Sequence, residues 1–208
     1  FAIDSAARFR VRPPPALRSW RYARDHNEVK RIGDVASQER PQDRADVARF
    51  FEPDWIVPIY FSAARQASHA QGKTLAENAR IFALLGMAIF DAMVACFDSK
   101  YFYDFWRPVT AIQLGHTDGN RHTEADANWT SFVFTPPFPS YPSGHASFGG
   151  AARRVLERMY GKDGHAITLV SPFVKDVVRH YTSFEQITDD IDDARIYGGV
   201  HYRFDQEE

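Results

Sequence analysis

Thr74 to Phe97 reads TLAENARIFALLGMAIFDAMVACF. Thr74-Leu75-Ala76-Glu77 has the form of a capping box, in which the threonine hydroxyl and the glutamate carboxylate each satisfy a free amide of a helix start. The residues that follow are apolar nearly all round, so the pattern predicts a long helix to about Phe97, central in a bundle and ended by Asp98 and Ser99. The run Ile81 to Phe97 is slightly short for a membrane span, and Gly86 and Asp91 interrupt it. No second segment approaches it. A buried core helix is the reading, with no membrane span.

Helical spacing continues on both sides of this run. Ala45, Val47, Ala48 and Phe51 predict a short helix that Pro53 punctuates. Ile56, Ile59, Tyr60, Ala63, Ala64 and Ala67 predict another, with Pro58 at a kink or near its first turn. Ser143 opens a helix whose stripe is Ala146, Phe148, Ala151, Ala152, Val155, Leu156 and Met159, and Gly161 ends it. Ser183-Phe184-Glu185-Gln186 is a second capping box, opening a helix toward Tyr197. There is no internal repeat and no strand series, so the expected fold class is all-α, a helical bundle. Residues 43–208 form its catalytic domain, and residues 1–42 form an N-terminal extended arm and loop. Pro13-Pro14-Pro15 mark that arm as an extended surface segment.

The bulk properties bound the function. A chain of 208 residues with 44% hydrophobic residues can bury one sizeable core. A net charge of −2 gives no global attraction to nucleic acid or anionic lipid, so any anion affinity must be local. The single cysteine, Cys96, excludes an intramolecular disulfide and a cysteine metal cluster, and leaves the compartment open. The chain opens Phe1-Ala2-Ile3-Asp4, without an initiator methionine or a signal pattern, and reads as part of a longer protein. A soluble protein, secreted or periplasmic in a bacterium, is compatible with this, as is a homo-oligomer.

Three short motifs carry the chemistry. Lys100 to Pro108 reads KYFYDFWRP, Pro142 to His145 reads PSGH, and Arg195 precedes His201 and Asp205. A long loop from His116 to Pro142, rich in turn residues (Asp118-Gly119-Asn120, Pro136-Pro137, Pro139), joins the first two and is a candidate wall of a site. Ser143, Gly144 and His145 stand at a helix start, where free amides and the macrodipole favour an anion. Gly144 lets an oxyanion approach the backbone, and Ser143 adds a hydroxyl donor. Lys100, Arg107 and Arg195 can each neutralise an oxygen, the arginines with a planar fork. A neutral His201 can ligate or attack through one ring nitrogen, while Asp205 accepts the proton of the other and fixes the tautomer. His145 is then the acid/base. Taken singly, each residue has an ordinary structural role: a cap, a solvated charge, an ion pair with Asp192, a satisfied histidine. Their joint order and spacing point to a site for a tetrahedral or five-coordinate oxyanion.

The joint pattern resembles the signature of the type 2 phosphatidic acid phosphatase and vanadium haloperoxidase superfamily, K-x6-R-P, P-S-G-H and S-R-x5-H-x3-D. Here it stands as Lys100-x6-Arg107-Pro108, Pro142-Ser143-Gly144-His145 and Arg195-x5-His201-x3-Asp205, with Ala194 in place of the serine before the arginine. The stretch from Asn78 to Arg107 and the FPSYPSGH context are similar to bacterial vanadium-haloperoxidase-like proteins. The resemblance implies a helical bundle of the vanadium haloperoxidase and acid phosphatase type, with vanadate as cofactor and phosphate able to occupy the same site. In a haloperoxidase, His201 would bind the vanadium of vanadate. Lys100, Arg107, Ser143, Gly144 and Arg195 would hold its oxygens, and His145 would be the acid/base while hydrogen peroxide binds and halide attacks. In a phosphatase, His201 would form a phosphohistidine and His145 would protonate the leaving group.

Three features favour the vanadate-dependent haloperoxidase over a soluble acid phosphatase acting on phosphomonoesters. The several spans of lipid phosphatases are missing. Aromatic residues, Trp106 among them, crowd the first motif. Phe138 matches an aromatic position near the halide site, so Phe138 and Trp106 are the expected halide pocket; a phenylalanine there is more like chlorinating members than brominating ones. The partners expected are hydrogen peroxide and halide, or a small phosphoester, and no nucleic acid. A non-catalytic anion-binding domain is a third alternative, against which the complete set of His145, His201 and Asp205 argues.

Overall fold

Thr74 accepts the Glu77 amide and Glu77 returns to the Thr74 amide, so the capping box forms, in a computed structural model that describes residues 2–52 and 56–207. The helices are α1 (Trp20–Ile32), α2 (Gln42–Phe50), α3 (Ile56–Ala70), α4 (Leu75–Tyr103), α5 (Pro108–Gln113), α6 (Gly144–Tyr160) and α7 (Phe184–Tyr197). Strands β1 (Asp163–Val170) and β2 (Val178–Ser183) lie between α6 and α7, and single 3-10 turns occur at Ala6–Phe9, Gly115–Thr117 and Arg203–Asp205. The molecule is mostly helical, as the spacing predicts.

The main core draws on α2, α3, α4, α6, α7 and both strands. Ile59, Tyr60 and Ala63 of α3, Leu85 and Ile89 of α4, Ala152 and Leu156 of α6, and Ile187 and Ile191 of α7 form one buried cluster. Each fully buried aliphatic side chain of this kind contributes about 1.5–3 kcal/mol. Pro58 falls in the first turn of α3, where its missing amide costs nothing. The expected break at Pro53 lies outside the described residues. Ser183 caps α7 by accepting the Gln186 amide, while the Gln186 side chain reaches one residue further back than a capping box requires, to the Thr182 amide.

Four expectations change. First, α4 does not stop at Asp98 and Ser99 but runs on to Tyr103, where Asp104 takes a left-handed conformation (φ 46°) and donates its amide to the Lys100 carbonyl. Asp98 and Ser99 are weak helix formers, yet here they are held from outside. Asp98 pairs with Arg10 (2.6 Å), and Ser99 accepts the Val11 amide while donating to the Ala95 carbonyl. Second, α4 is not buried all round. Ile81, Leu85, Ile89 and Cys96 face the core, whereas Met87, Phe90, Tyr101 and Phe102 are exposed. Apolar composition does not say which face has a neighbour. By length and composition α4 could cross a membrane, but its inner face packs on the other helices.

Third, residues 1–42 are not only arm and loop. Ser19 accepts the Tyr22 amide and starts α1, whose inner face buries Tyr22, Ala23, Val29 and Ile32. The extended arm before it lies along α4. The Ala2 amide donates to Asp91, and Tyr103 and Tyr141 donate their hydroxyls to the Val11 and Arg12 carbonyls. Asp91, which interrupts the apolar run, is the anchor of the arm. Fourth, one antiparallel hairpin joins the helices. In it Ile167 pairs with Tyr181, Leu169 with Arg179 and Val170 with Val178. Ile167, Leu169 and Tyr181 turn inward onto the main core, and the alternating partners turn out.

A second core sits under the long loop. Tyr22 of α1, Ala111 and Ile112 of α5, and Trp129, Tyr141, Tyr202 and Phe204 form it. Trp129 donates its indole N–H to the Lys30 carbonyl, and Asp118 accepts the Asn120 amide and the Thr123 hydroxyl. The loop is thereby fixed between α5 and α6, and its last residues form a wall of the cavity described next.

Candidate active site

The three motifs meet at one end of the core. Lys100 comes from the last turn of α4 and Arg107 from the residue that precedes α5. Ser143, Gly144 and His145 open α6, Arg195 ends α7, and His201 follows after a tight turn. A cavity of about 260 Å³ is lined by Arg107, Phe138, Gly144, His145, Arg195 and His201, with Phe97 and Phe148 as apolar wall. A larger groove between α3 and β1, about 590 Å³, has Arg65 as its one charged lining residue among the described residues and none of the motif residues.

Lys100 and Ser143 are fully buried behind this cavity rather than on its wall. The Lys100 ammonium donates to the Pro139 and Ser140 carbonyls at 2.9 and 2.6 Å, which leaves one of its three protons. Burial is the chief cause that lowers its pKa from the usual lysine range. The Ser143 hydroxyl accepts the Ala146 amide as the cap of α6, and its own proton is available. The Ser143 amide donates to the Asp205 carbonyl at 2.8 Å, tying the α6 start to the third motif.

His201 is held on both ring nitrogens. Nδ1 lies 2.6 Å from Asp205 Oδ2, and Nε2 lies 3.0 Å from Arg107 Nη1. A guanidinium only donates, so Nε2 is the acceptor and Nδ1 carries the proton. The imidazole is neutral: burial above all, then the charges of Arg107, Lys100 and Arg195, hold its pKa well below the ordinary value. Asp205 also accepts the Ser140 hydroxyl (2.5 Å) and the Tyr202 amide (3.2 Å) on the same oxygen. Its carboxyl is raised by burial, a shift opposed by Ser140 and by Lys100 and Arg107. Asp205 stands on a 3-10 turn, not on a continuing helix.

Arg107 is clamped by backbone. Nε donates to the Phe138 carbonyl and Nη1 to the Val200 carbonyl, both at 2.8 Å. Its Nη2 is buried and has no hydrogen-bond partner among the described residues. Arg195 donates Nη1 to the Phe51 carbonyl. His145 Nε2 is buried and has no hydrogen-bond partner among the described residues. Burial, then Arg195, Lys100 and Arg107, hold the His145 pKa well below the ordinary range. The cavity thus combines a positive field, a helix start and two neutral imidazoles. Buried donors without partners are costly unless a ligand meets them, and the donor set here fits an oxyanion.

Phe138 and Trp106 part company. The Phe138 ring lines the cavity, 4.9 Å from the Arg107 guanidinium carbon and 5.3 Å from Lys100 Nζ. Trp106 points away and lies with Phe105 against Pro13 to Leu17 of the arm. Both rings pack against the second core, while Arg107, the next residue, reaches the cavity. Trp106, expected beside Phe138, therefore packs on the second core and does not line this cavity.

Several supporting residues carried no signal in the sequence. Asp25 of α1 accepts the Phe204 amide, and Glu28 pairs with Arg203, so α1 holds the turn that presents Asp205. Gly199 has φ 80°, and a Cβ there would collide with the Gly33 carbonyl oxygen. Only glycine fits, and this close approach places Val200 and His201. Ser140 lay inside a quoted motif without a role of its own.

A family model described as the VCPO second helical-bundle domain matches residues 80–208. The chain belongs to the vanadium haloperoxidase family. It is 30% identical to vanadium chloroperoxidase of Curvularia inaequalis over 176 residues, covering 62% of this chain and 28% of that protein. The crystal structure of the first bacterial vanadium-dependent iodoperoxidase superposes with a TM-score of 0.82 at 29% identity, over 99% of this chain and 50% of that one. A holo-type bacterial vanadium-dependent chloroperoxidase shares the fold, with a TM-score of 0.76 at 22% identity, over 100% of this chain and 49% of that one. The chain thus spans about half the length of these solved relatives.

Proposed function

We propose that the cavity binds vanadate and that the full-length protein uses it to oxidise halide with hydrogen peroxide. The observation that carries this reading is the His201 ring. Asp205 holds its Nδ1 proton, so Nε2 is the unprotonated nitrogen at a cavity flanked by Arg107 and Arg195, and the Arg107 Nη1 donor now on it is the contact that an incoming anion would displace. Kinship with vanadium haloperoxidases supports the choice of vanadate.

His201 Nε2 is the atom that would bind vanadium. Arg107 Nη2, the Gly144 amide and Arg195 are the donors that would hold the oxygens, with Lys100 and Ser143 adding protons from behind. Bound vanadate supplies a Lewis-acidic centre that activates peroxide toward halide. The side chains do the rest. Arg107 and Arg195 neutralise the anion in a water-poor pocket, where each such donor is worth about 3 kcal/mol in a transition state. His145, with its buried Nε2 beside Arg195, would serve as the acid/base that accepts a proton from peroxide and gives one to the leaving water. Phe138 and Phe97 present an apolar wall beside the cations, a surface suited to a weakly hydrated halide.

The test is an assay of the full-length protein with vanadate, hydrogen peroxide and chloride, bromide or iodide, run beside a phosphomonoester assay. Vanadate-dependent halide oxidation is expected. Hydrolysis of the phosphoester with no oxidation of bromide or iodide would replace this reading with that of an acid phosphatase using His201 as nucleophile. Neither activity, in a protein that still binds vanadate, would leave a non-catalytic anion-binding domain.

A further inference from the structure

Ser140 has no place in the scheme above, yet its amide, carbonyl and hydroxyl are all held. It is fully buried. Its amide donates to the Phe105 carbonyl at 2.8 Å, and its carbonyl accepts Lys100 Nζ at 2.6 Å. Both contacts come from the first motif. Its hydroxyl donates to Asp205 Oδ2 at 2.5 Å and stands 3.3 Å from His201 Nδ1, in the third motif. One residue thus connects the lysine to the histidine–aspartate pair.

The Asp205 carboxylate is loaded on one side. Oδ2 accepts the Ser140 hydroxyl, the His201 Nδ1 proton and the Tyr202 amide, while Oδ1 is buried with no partner among the described residues. A carboxylate held by a single oxygen is free to turn about its Cβ–Cγ bond unless a second directional donor fixes it. The Tyr202 amide, at 3.2 Å, is a longer contact. The Ser140 hydroxyl is the short one.

We propose that Ser140 is a positioning residue for His201: its hydroxyl fixes Asp205 Oδ2 opposite Nδ1 and so holds the ring with an unprotonated Nε2 at the cavity, beside Arg107. The assignment rests on reading His201 Nε2 as the vanadate-binding atom. Outer partners of a ligating histidine fix its tautomer and ring orientation, and losing one typically weakens binding about 10- to 100-fold.

The experiment uses full-length wild type, Ser140→Ala and Ser140→Cys, the last keeping the size of serine with a much weaker donor. The first readout is the low-field imidazole N–H resonance in the proton NMR spectrum, assigned to His201 by its absence in His201→Ala. The second is vanadate affinity by calorimetry, and circular dichroism reports the fold. Ser140→Ala should stay folded, lose or broaden the resonance and bind vanadate about 10- to 100-fold more weakly, with Ser140→Cys in between. A folded Ser140→Ala with an unchanged resonance and affinity would overturn the assignment. Should that variant not fold, Ser140→Cys decides, and an unchanged resonance there has the same consequence. Wild-type protein that binds no vanadate would overturn the anion reading instead, while the resonance still decides the role of Ser140.

Discussion

Replacing Arg107 separates charge from geometry in the cavity. Its Nε donates to the Phe138 carbonyl and its Nη1 to the Val200 carbonyl and His201 Nε2, which leaves Nη2 buried and without a partner among the described residues. Arg107→Lys keeps the charge, but one ammonium cannot meet both carbonyls and also reach an anion. The loss is about one charge-assisted hydrogen bond, roughly 1.5–3 kcal/mol. That is about a 10- to 150-fold rise in Kd for vanadate or phosphate. Arg107→Ala also removes the charge, and two unit charges about 4 Å apart interact by about 4 kcal/mol at an effective dielectric near 20. Its binding should therefore fall further, by at least another tenfold after screening. The Ala variant leaves two buried carbonyls unpaired, at about 1–3 kcal/mol each, while relieving a buried cation whose pKa burial has already lowered to about 10. Thermal melts must accompany the calorimetric titrations. If folded Arg107→Lys binds vanadate as tightly as wild type, the guanidinium fork is not the grip and the reasoning fails.

Three further outcomes are expected. Asp192, with a buried and unpaired Oδ1, has its carboxyl pushed up to about 7, by burial first and by Asp189 and Asp193 next. A folded pKa above the unfolded one makes stability fall as pH rises from about 4 through 7. Asp192→Asn should therefore stabilise by on the order of 1 kcal/mol at about pH 8 and by nothing near pH 4, and denaturant melts at both pH values check this. Gly199→Ala should destabilise by roughly 2–4 kcal/mol, because the new Cβ meets the Gly33 carbonyl and the Ser131 backbone. A melting temperature equal to that of wild type would refute the close approach. Because cations help hold the His145 and His201 pKa values down, an anion that offsets their field should raise the His145 pKa. Binding near pH 6.5, about the ordinary histidine pKa, should take up protons and tighten as pH falls. Calorimetric heats that do not depend on buffer ionisation enthalpy would contradict this.

Much of the fold was legible where local structure is self-sufficient. Thr74, Ser143 and Ser183 mark helix starts by hydroxyls that satisfy free amides a few residues away, and a sequence records such contacts directly. The site was legible for a related reason: few other functions need three cations, a helix start and two histidines in that order. What escaped depends on distant partners. The register of the arm on α4 rests on Asp91 and Asp98, which read as interruptions. The hairpin escaped because its inward positions, Ile167, Leu169 and Tyr181, are too few to show an alternation. Helix α1 escaped because it is rich in Arg and other polar residues, and its buried Asp25 and His26 face a neighbour that spacing does not reveal. Trp106 and Phe138 were equivalent as aromatic letters, and their packing separated them.

The most direct test of the account is vanadium NMR of the full-length protein and of folded His201→Ala in the presence of vanadate. The wild type is predicted to give a bound-vanadate signal that inorganic phosphate displaces, and His201→Ala to give none. A bound signal of equal strength in both proteins would contradict the assignment of His201 as the vanadate-binding residue.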